Sequence, residues 1–477
     1  MSTSAQSSNS HTRNTFTQGP LGVVFARTAL PIIFVMSMNG LLAVVDAVFL
    51  GVFVGADALG AVTLMFPLFM LIVALATLIG SGMSSLLARH LGAGRFDEAQ
   101  AVFAGAHGLA LTVSAGLITL FLIFGRAVIL LAAAGSEPLA EMGYTYLAIN
   151  VFFSPLLFVL SVNSDALRNE GRVGLMAAMS LLISLANIGF NYVLIAMLEL
   201  GVAGSAYGTV MAQALAFSII LGFRIRGRTE LRPGALIHHG LATGWWRIVA
   251  LGAPQSLNFI GIALGSAAII AALQMAASGT YEETVSAYGI ITRIMTFVFL
   301  PLLGLSHALQ SITGNNYGAE QWRRSDNSLR LGMVVALVYC LAAEAVLVGF
   351  ARPIGLVFVE DSRVANEVAR IMPVMVAMLF AAGPMVMIAS YFQAIGDAGR
   401  AAIISLAKPY AFAIPLTFLL PLAFGEEGIW MAAPTAEILL FVLLVIVLGQ
   451  TARRRSFKWG LFTAAAQTDD PVEVQSA

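Results

Sequence analysis

Cysteine and charged residues are scarce in this sequence. Cys340 is the only cysteine among 477 residues, and 10% of the residues are charged, against about 25% in soluble domains. One cysteine excludes an intramolecular disulfide and a multi-cysteine metal site. The low charge excludes an ordinary soluble domain. No basic face or base-stacking motif stands out, so we expect no nucleic-acid partner.

Motifs of enzymatic chemistry are also missing from the apolar stretches. They contain no HExxH motif, no paired catalytic acids and no Ser/His set, which are the patterns that metal or nucleophilic catalysis needs. The segment GSGMSS at Gly80 to Ser85 is better explained by small-residue helix packing. We therefore expect no enzyme and no cofactor, although a membrane-embedded enzyme stays an alternative.

Long apolar runs are what the sequence has instead. Apolar residues make up 59% of the chain, and runs of about 20 such residues are long enough to cross a bilayer as helices. The pattern predicts an all-α polytopic membrane protein with twelve spanning helices. The expected spans are residues 28–52, 58–88, 101–125, 137–162, 172–198, 202–223, 248–275, 282–312, 328–350, 366–392, 400–422 and 428–449.

An internal repeat divides these spans into two halves. ALRNEGR at Ala166 to Arg172 matches AIGDAGR at Ala394 to Arg400, and GVAGSAYGT at Gly201 to Thr209 follows the pattern of GEEGIWMAA near residue 425. Six helices per half insert the same way up, which predicts two lobes related by a pseudo-twofold axis along the membrane normal. The expected domains are a disordered tail (1–24), an N-lobe (25–223), an inter-lobe loop (224–247), a C-lobe (248–450) and a C-terminal tail (451–477).

Arginines concentrate on one side of the predicted spans. The connections that share a side with the termini, above all the loop RIRGRTELRPGALIHHGLATGWWR, hold most of them. Positive charge marks the cytoplasmic side. We expect a multi-pass protein of the cell inner membrane, with the lipid bilayer around it and both termini in the cytoplasm. His238 and His239 lie in this loop without a carboxylate or cysteine spaced to complete a metal site.

Asp46 is the acid that stands out within the first span. A charged carboxylate at bilayer depth is unfavourable by about 2.5 to 3.5 kcal/mol, so it must protonate, bind a cation or face water. The alternative is that Asp46 snorkels or caps a neighbouring helix. Asn187 and Asn191 are four residues apart in the fifth span, so both amides project from one helix face. An acid and two amides offer oxygen ligands to a hard cation or a network that holds a proton.

Several segments together resemble the multidrug and toxic compound extrusion (MATE) family of cation-coupled exporters. They are VVDAVFLGVFVGADALGAVTL, ARHLGAG, ANIGFNYVL, GVAGSAYGT, RIMTFVFLPLLGLSHALQSITGNNYGA and GIWMAAPTAEI. The resemblance implies a cation-coupling site in the N-lobe formed by Asp46, Asn187, Asn191 and Thr209, with the backbone near Ser205. It also implies a helix bend at Pro31. Many relatives carry a second Asp where this chain has Asn191, so burial alone must favour proton capture here.

Two further acids lie within predicted spans. Glu437 lies near the middle of the last span, where an ion pair with Lys408 would make both charges tolerable, and Glu344 lies in the ninth. Structural pairing and direct coupling both stay open for Glu437. Another branch of the family places acids in its seventh and tenth helices, where this chain has none, so that sodium site is not transferable.

The expected function is secondary active export of amphipathic, often cationic organic compounds by a monomer. Export would run in antiport with H+ or Na+, by alternating access, with a sodium ion bound at Asp46, Asn187, Asn191 and Thr209 in the second case. The alternative is a flippase of a lipid-linked or other amphiphilic substrate. A lipid-linked anion would need a basic cavity, and Arg293 and Lys408 are the only basic residues deep in the predicted spans.

Overall fold

The structure is a computed structural model that describes residues 14–133, 136–276, 281–359, 361–455 and 458–462. These residues are almost entirely helical, apart from a single antiparallel bridge between Lys458 and Phe462. Ten helices are long and apolar enough to cross a bilayer alone, and two bent helix pairs bring the spans to twelve in the described part of the chain. The all-α, twelve-span expectation is confirmed.

The first six spans, α1 to α6, come before the longest polar loop. Helix α4 consists of two segments bent by 50° relative to each other, and α5 ends in a π-helical turn. The bounds are α1 Leu21–Phe53, α2 Ala56–Gly92, α3 Phe96–Ala132, α4 Glu137–Phe152 with Ser154–Asn169, α5 Val173–Asn191 with the π-helix Tyr192–Met197, and α6 Gly201–Ile225.

The last six spans, α7 to α12, repeat this arrangement. Helix α10 is again a bent pair, at 45°, and α11 again contains a π-helix. The bounds are α7 Trp245–Ala276, α8 Tyr281–Gly318, α9 Trp322–Gly349, α10 Ser362–Val376 with Leu379–Ala394, α11 Ala398–Leu406 with the π-helix Ala407–Ala413, Ile414–Leu419 and Pro421–Phe424, and α12 Glu426–Arg455. Short helices occupy Ala235–His238 and Ala351–Phe358.

The two halves meet mainly through the first two helices of each. Helix α2 packs against α7 and α8, and α1 packs against α8. The crossing of α2 and α8 is reciprocal: a methyl group on Gly92 would overlap the carbonyl oxygen of Asn315, and one on Gly318 would overlap that of Arg89. The two residue pairs, 89 with 315 and 92 with 318, are each 226 residues apart, which lies between the spacings of the two repeated segments, 224 and 228. The crossing therefore obeys the pseudo-twofold symmetry that the sequence repeat predicts.

Polar contacts reinforce this junction near the inter-lobe loop, which we call the closed end. The Ser85 hydroxyl donates to the Gln393 carbonyl, and Arg89 donates to the Ile395 carbonyl at 3.2 Å. In the other direction, Arg168 donates to the Ser311 hydroxyl at 3.2 Å. Because the glycines at the contact have no side chains, the two helices approach closely. Backbone groups and short side chains can therefore form hydrogen bonds across the junction.

One feature left open by the sequence, the role of Glu344, has a structural explanation. Glu344 accepts a hydrogen bond from the backbone N–H of Phe380 at 2.8 Å, at the start of the second segment of α10. It thereby satisfies one of the N–H groups that a helix start leaves without an intrahelical partner. Pro31 lies within α1, which runs as one helix from Leu21 to Phe53, so its role in bending stays a prediction.

An ion pair and hydrogen bonds hold the inter-lobe loop against the first lobe. Arg224, at the end of α6, is buried and pairs with Glu170 at 3.2 Å, and it also donates to the Leu231 carbonyl at 2.9 Å. The indole N–H of Trp245 donates to the Gly105 carbonyl at 2.9 Å. His239 lies 3.6 Å from Asp97. No group of three or more possible metal ligands occurs in the described ranges.

Residues 14–24 contradict the expectation of a disordered N-terminal tail. Phe16 is buried in the core, and its carbonyl accepts hydrogen bonds from Asn316 and Arg324 at 3.2 Å. The Asn14 amide donates to Asn315 at 2.8 Å. These partners are about 300 residues away in sequence, so local composition gave no signal for them. Residues 1–13, the rest of the expected tail, lie outside the described residues.

Arg324 holds this segment more extensively than any other side chain described here, since it also donates to the carbonyls of Gln18 at 3.0 Å and Gly19 at 2.7 Å. We predict that Arg324→Ala lowers the free energy of unfolding by about 1–3 kcal/mol, the usual value of hydrogen bonds to a charged group. Thermal unfolding of detergent-purified protein, followed by tryptophan fluorescence, measures this loss. The neighbouring exposed Arg323 supplies the control: Arg323→Ala should unfold like the unmodified protein, and equal behaviour of both variants would contradict the prediction.

Candidate functional site

Asp46 lies on α1, seven residues before the helix ends at Phe53 and therefore about 10 Å from that end. Its carboxylate oxygen Oδ1 accepts a hydrogen bond from the amide of Asn191 at 2.7 Å. Both asparagines are fully buried, whereas Asp46 is half-buried. The carboxylate of Asp46 thus points into the first lobe, toward the amides of Asn187 and Asn191, rather than toward the lipid hydrocarbon.

The amides continue into a chain of hydrogen bonds that reaches α6. Asn191 also donates to Asn187 Oδ1 at 3.2 Å, Asn187 donates to the Thr209 hydroxyl at 2.9 Å, and that hydroxyl donates to the Ser205 carbonyl at 3.2 Å. Ser205 thus contributes its backbone oxygen. All five positions of the expected N-lobe site are brought together; their role in coupling stays a prediction.

We call Asp46, Asn187, Asn191, Ser205 and Thr209 the cage. When the Asn187 amide is turned so that its nitrogen faces the acid, it donates to Asp46 Oδ1 at 2.9 Å, and its oxygen accepts from the Thr209 N–H at 3.3 Å and hydroxyl at 2.9 Å. In either orientation the hydrogen-bond partners of Asp46 in the cage are uncharged.

Two structural features of the cage were missed by sequence reasoning. The π-helix Tyr192–Met197 begins directly after Asn191, and such turns are frequent at functional sites. Gly208 on α6 lies against Asn191, where a methyl group would overlap the amide oxygen Oδ1. That oxygen is buried and accepts no hydrogen bond from the residues described. The small residues of the motif GVAGSAYGT indicate close helix packing, but the sequence alone did not show that Asn191 is the residue that packs against Gly208.

Tyr146 is a further neighbour that the sequence did not point to. It packs between two small apolar clusters that flank the cage, Leu50 with Ala58 and Val202, and Ile149 with Ala206 and Val210. These clusters close the sides of the site with apolar groups. Because apolar walls weaken the solvation of an ion, the polar groups inside carry more weight in deciding the charge of Asp46.

The second lobe has a different arrangement of charge. Lys408, in the π-helix of α11, is ion-paired with Glu437 Oε1 on α12. The lysine side chain is 39% exposed and the glutamate side chain 8%, and Glu437 Oε2 has no hydrogen-bond partner in the part of the chain described. Glu437 is thus paired with a cation, whereas Asp46 has neutral partners.

Comparison with known proteins gives one consistent result. The family model MatE matches residues 31–193 and 259–419, together more than half of the chain, and the two matches begin 228 residues apart, as the internal repeat requires. The chain is 24% identical to the FAD transporter of Shewanella oneidensis, covering 90% of this chain and 94% of that protein. It is 23% identical to the multidrug export protein MepA of Staphylococcus aureus, covering 91% and 95%.

Solved structures agree with this. An outward-facing multidrug resistance MATE family transporter superposes with a TM-score of 0.83 at 22% identity, over 91% of this chain and 96% of that one. The MATE multidrug transporter DinF-BH gives a TM-score of 0.82 at 27% identity, over 90% of this chain and 96% of that one. The fold of these transporters is therefore the fold of this chain.

We predict that Gly208→Ala destabilises the protein, because the added methyl group must displace Asn191 and break its bond to Asp46. Overpacking of this kind costs about 1–3 kcal/mol. The measurement is the thermal unfolding temperature in detergent. Gly189→Ala is the matched control: Gly189 lies between the two asparagines on α5, and a methyl group there meets no atom within 4 Å. Equal unfolding temperatures would show that the close contact at Gly208 is not needed.

Proposed function

The chain belongs to the MatE family, the multidrug and toxic compound extrusion transporters, and from that premise we propose that it exports amphipathic, often cationic organic compounds in antiport with protons or sodium ions. The single observation that carries this proposal is the cage around Asp46. An acid at span depth with neutral hydrogen-bond donors as partners retains the capacity to take up one positive charge.

Protons are the coupling ion that the cage favours. Asp46 has only uncharged hydrogen-bond partners in the cage, so it can gain or lose a proton without an ion pair being broken. Sodium is the second candidate, because the side-chain oxygens of Asp46, Asn187, Asn191 and Thr209 and the Ser205 carbonyl are hard ligands of the type it prefers. Of these oxygens, Asn191 Oδ1 has no hydrogen-bond partner among the described residues.

Alternating access supplies the mechanism. The reciprocal glycine crossing and the contacts of Ser85, Arg89 and Arg168 close the inter-lobe-loop end of the molecule. Asp46 lies near the opposite end, as a coupling ion entering from outside would require. When a cation neutralises Asp46, its bond to Asn191 changes in strength, which biases the position of α1 and hence its contact with α8. The lobes then rock about the cleft between them, with Pro31 as the point where α1 would bend.

The topology of this proposal follows the charge distribution. We assign residues 25–223 and 248–450 to the two lobes, 224–247 to a cytoplasmic loop, and both termini to the cytoplasm of the cell inner membrane, because arginines concentrate there. The protein acts as a monomer, since each chain contains its own cation site and its own cleft.

Energetics limit what such a transporter can concentrate. Each pH unit provides about 1.4 kcal/mol per proton, and one charge crossing 100 mV provides about 2.3 kcal/mol. Exchange of one proton for one monovalent cation moves no net charge, so export of that cation would run on the pH gradient alone. A zwitterionic substrate could also use the membrane voltage.

A flippase or a transporter of another amphiphilic substrate is the second candidate. The relative from Shewanella oneidensis is named for FAD, a molecule with two phosphates, so the family model does not restrict the substrate to cations. Arg293 and Lys408 are the basic residues at span depth that would meet such a substrate. They are fewer than a lipid-linked anion would need, so we rank export of organic compounds first.

We predict that Asp46→Asn lowers dye efflux driven by a pH gradient at least tenfold in proteoliposomes, because the variant can no longer exchange a charge. A fluorescent organic cation is the probe, and an imposed sodium gradient in a parallel experiment identifies the ion. Asp57→Asn, at the exposed start of α2, is the matched control and should transport normally. Unchanged efflux by Asp46→Asn under both gradients would refute the coupling role.

A further inference from the structure

The segment before α1 lies across the junction of the two lobes at the closed end. We call residues 14–19 of this segment the strap. Phe16, in the middle of the strap, is 2% exposed. It belongs to a hydrophobic cluster that contains residues of both halves of the chain, among them Leu167 of α4 and Leu329 of α9. The strap thus buries an aromatic side chain among residues of both lobes.

Hydrogen bonds attach the strap to the second lobe. Asn14 donates to Asn315 of α8 at 2.8 Å. The guanidinium of Arg324, on α9, donates to three carbonyl groups of the strap, which are those of Phe16, Gln18 and Gly19. Hydrogen bonds from a charged donor are stronger than those between neutral groups. The attachment to the second lobe is therefore the firmer one.

A close van der Waals contact attaches the strap to the first lobe. Gly171 lies in the connection between α4 and α5 with a φ of +76°. A methyl group on Gly171 would overlap the Thr15 hydroxyl oxygen and would lie 3.9 Å from the Phe16 ring. Three residues before Gly171, Arg168 donates across the junction to Ser311 of α8. The strap therefore meets the first lobe beside one of the contacts that close this end.

The strap also has a turn of its own. The side-chain oxygen of Asn14 accepts a hydrogen bond from the N–H of Phe16 at 3.0 Å, and the Asn14 carbonyl accepts one from the Thr17 hydroxyl at 3.1 Å. Such an asparagine turn replaces a backbone turn and restricts the chain to one conformation. A flexible linker could touch both lobes without constraining them, whereas a chain with a fixed turn keeps its two attachments at a fixed separation.

Opening of the closed end is incompatible with both attachments. It must separate Gly92 from Asn315 at the crossing of α2 and α8, and Asn315 is also bonded to the strap. Gly171 belongs to the other lobe and moves away with α4 and α5. The strap can then stay with one lobe only, so its contacts stabilise the closed state and not the open one.

We propose that the strap holds the closed end shut by joining Gly171 of the first lobe to Arg324 of the second, and that this end opens only after the strap leaves Gly171. The inference rests on the alternating access of the proposed function, and it adds a segment outside the spans that opposes one of the two states. The contact at Gly171 gives way first, because it lacks the charged hydrogen bonds of the other attachment.

The distance between spin labels on the two lobes tests the proposal. Arg95 and Gln321 are exposed and come directly before α3 and α9, and replacing Cys340 by alanine gives a background without cysteine. Labels on Arg95→Cys and Gln321→Cys report the ratio of open to closed molecules by electron paramagnetic resonance. The full chain is measured in lipid nanodiscs over a range of pH values.

We expect Gly171→Asn and Arg324→Ala to raise the ratio of open to closed molecules equally, by about tenfold, which is the usual effect of losing hydrogen bonds to a charged group. Asparagine tolerates a positive φ, and its side chain displaces Thr15 from the first lobe. The double variant should show no further increase, since a strap attached to one lobe no longer joins the two.

Two matched controls accompany these variants. Gly227→Asn makes the same substitution at another glycine of positive φ, +66°, where a methyl group meets no atom within 4 Å, and it should leave the ratio unchanged. Deletion of residues 2–13 keeps the strap and should also leave the ratio unchanged, whereas deletion of residues 2–19 removes the strap and should raise the ratio as Gly171→Asn does.

The outcomes separate the strap from the proposed function. If Arg324→Ala lowers the unfolding temperature but neither Arg324→Ala nor Gly171→Asn changes the ratio, the segment is only a structural part of the second lobe and the inference is overturned. A larger increase in the double variant than in either single variant would overturn it too, because the attachments would then act independently. If the unmodified protein shows one distance under every condition, alternating access itself fails and the strap with it.

Discussion

The free energy of an unpaired carboxylate at bilayer depth is the constraint on which this structure depends. Asp46 receives no cationic partner among the described residues; it receives a hydrogen bond from Asn191 at 2.7 Å and a network of neutral groups behind it. Neutral donors lower the cost of the charge without cancelling it. Under the proposed function, this arrangement leaves the site able to take up a positive species, which an ion pair of the same acid with lysine or arginine would prevent.

The second lobe contains that alternative arrangement, an acid that is ion-paired with a lysine. Glu437 is buried much as the two asparagines are, but it is paired with Lys408. The two halves of the repeat thus place an acid beside different partners, which are neutral amides in the first lobe and an ammonium group in the second. Their positions correspond closely, since Glu437 matches Gln213, one turn from Thr209, at the offset of 224.

Local patterns predicted much of this arrangement, and long-range contacts account for what they missed. The spans followed from runs of apolar residues, the two lobes from repeated segments, and the shared face of Asn187 and Asn191 from their spacing of four. The contact of Gly208 with Asn191, the π-helix after Asn191 and the docking of Phe16 against α8 were not predictable, because each depends on partners that are distant in sequence or on a backbone irregularity without a residue signature. The ordered conformation of residues 14–24 was not predicted for the same reason.

Helix α1 connects the chemistry to the closed end of the molecule. One end of it carries Asp46 against the first lobe, and the segment before its other end is bonded to Asn315, Asn316 and Arg324 of the second lobe. Asn315 is also the residue whose carbonyl meets Gly92 at the symmetric crossing. The crossing consists of van der Waals contacts and of hydrogen bonds, and each of these hydrogen bonds has a net value of about 1 kcal/mol. The proposed coupling therefore runs along one helix: a change of charge at Asp46 would act on α1, and α1 continues into the segment that is bonded to the second lobe at the closed end.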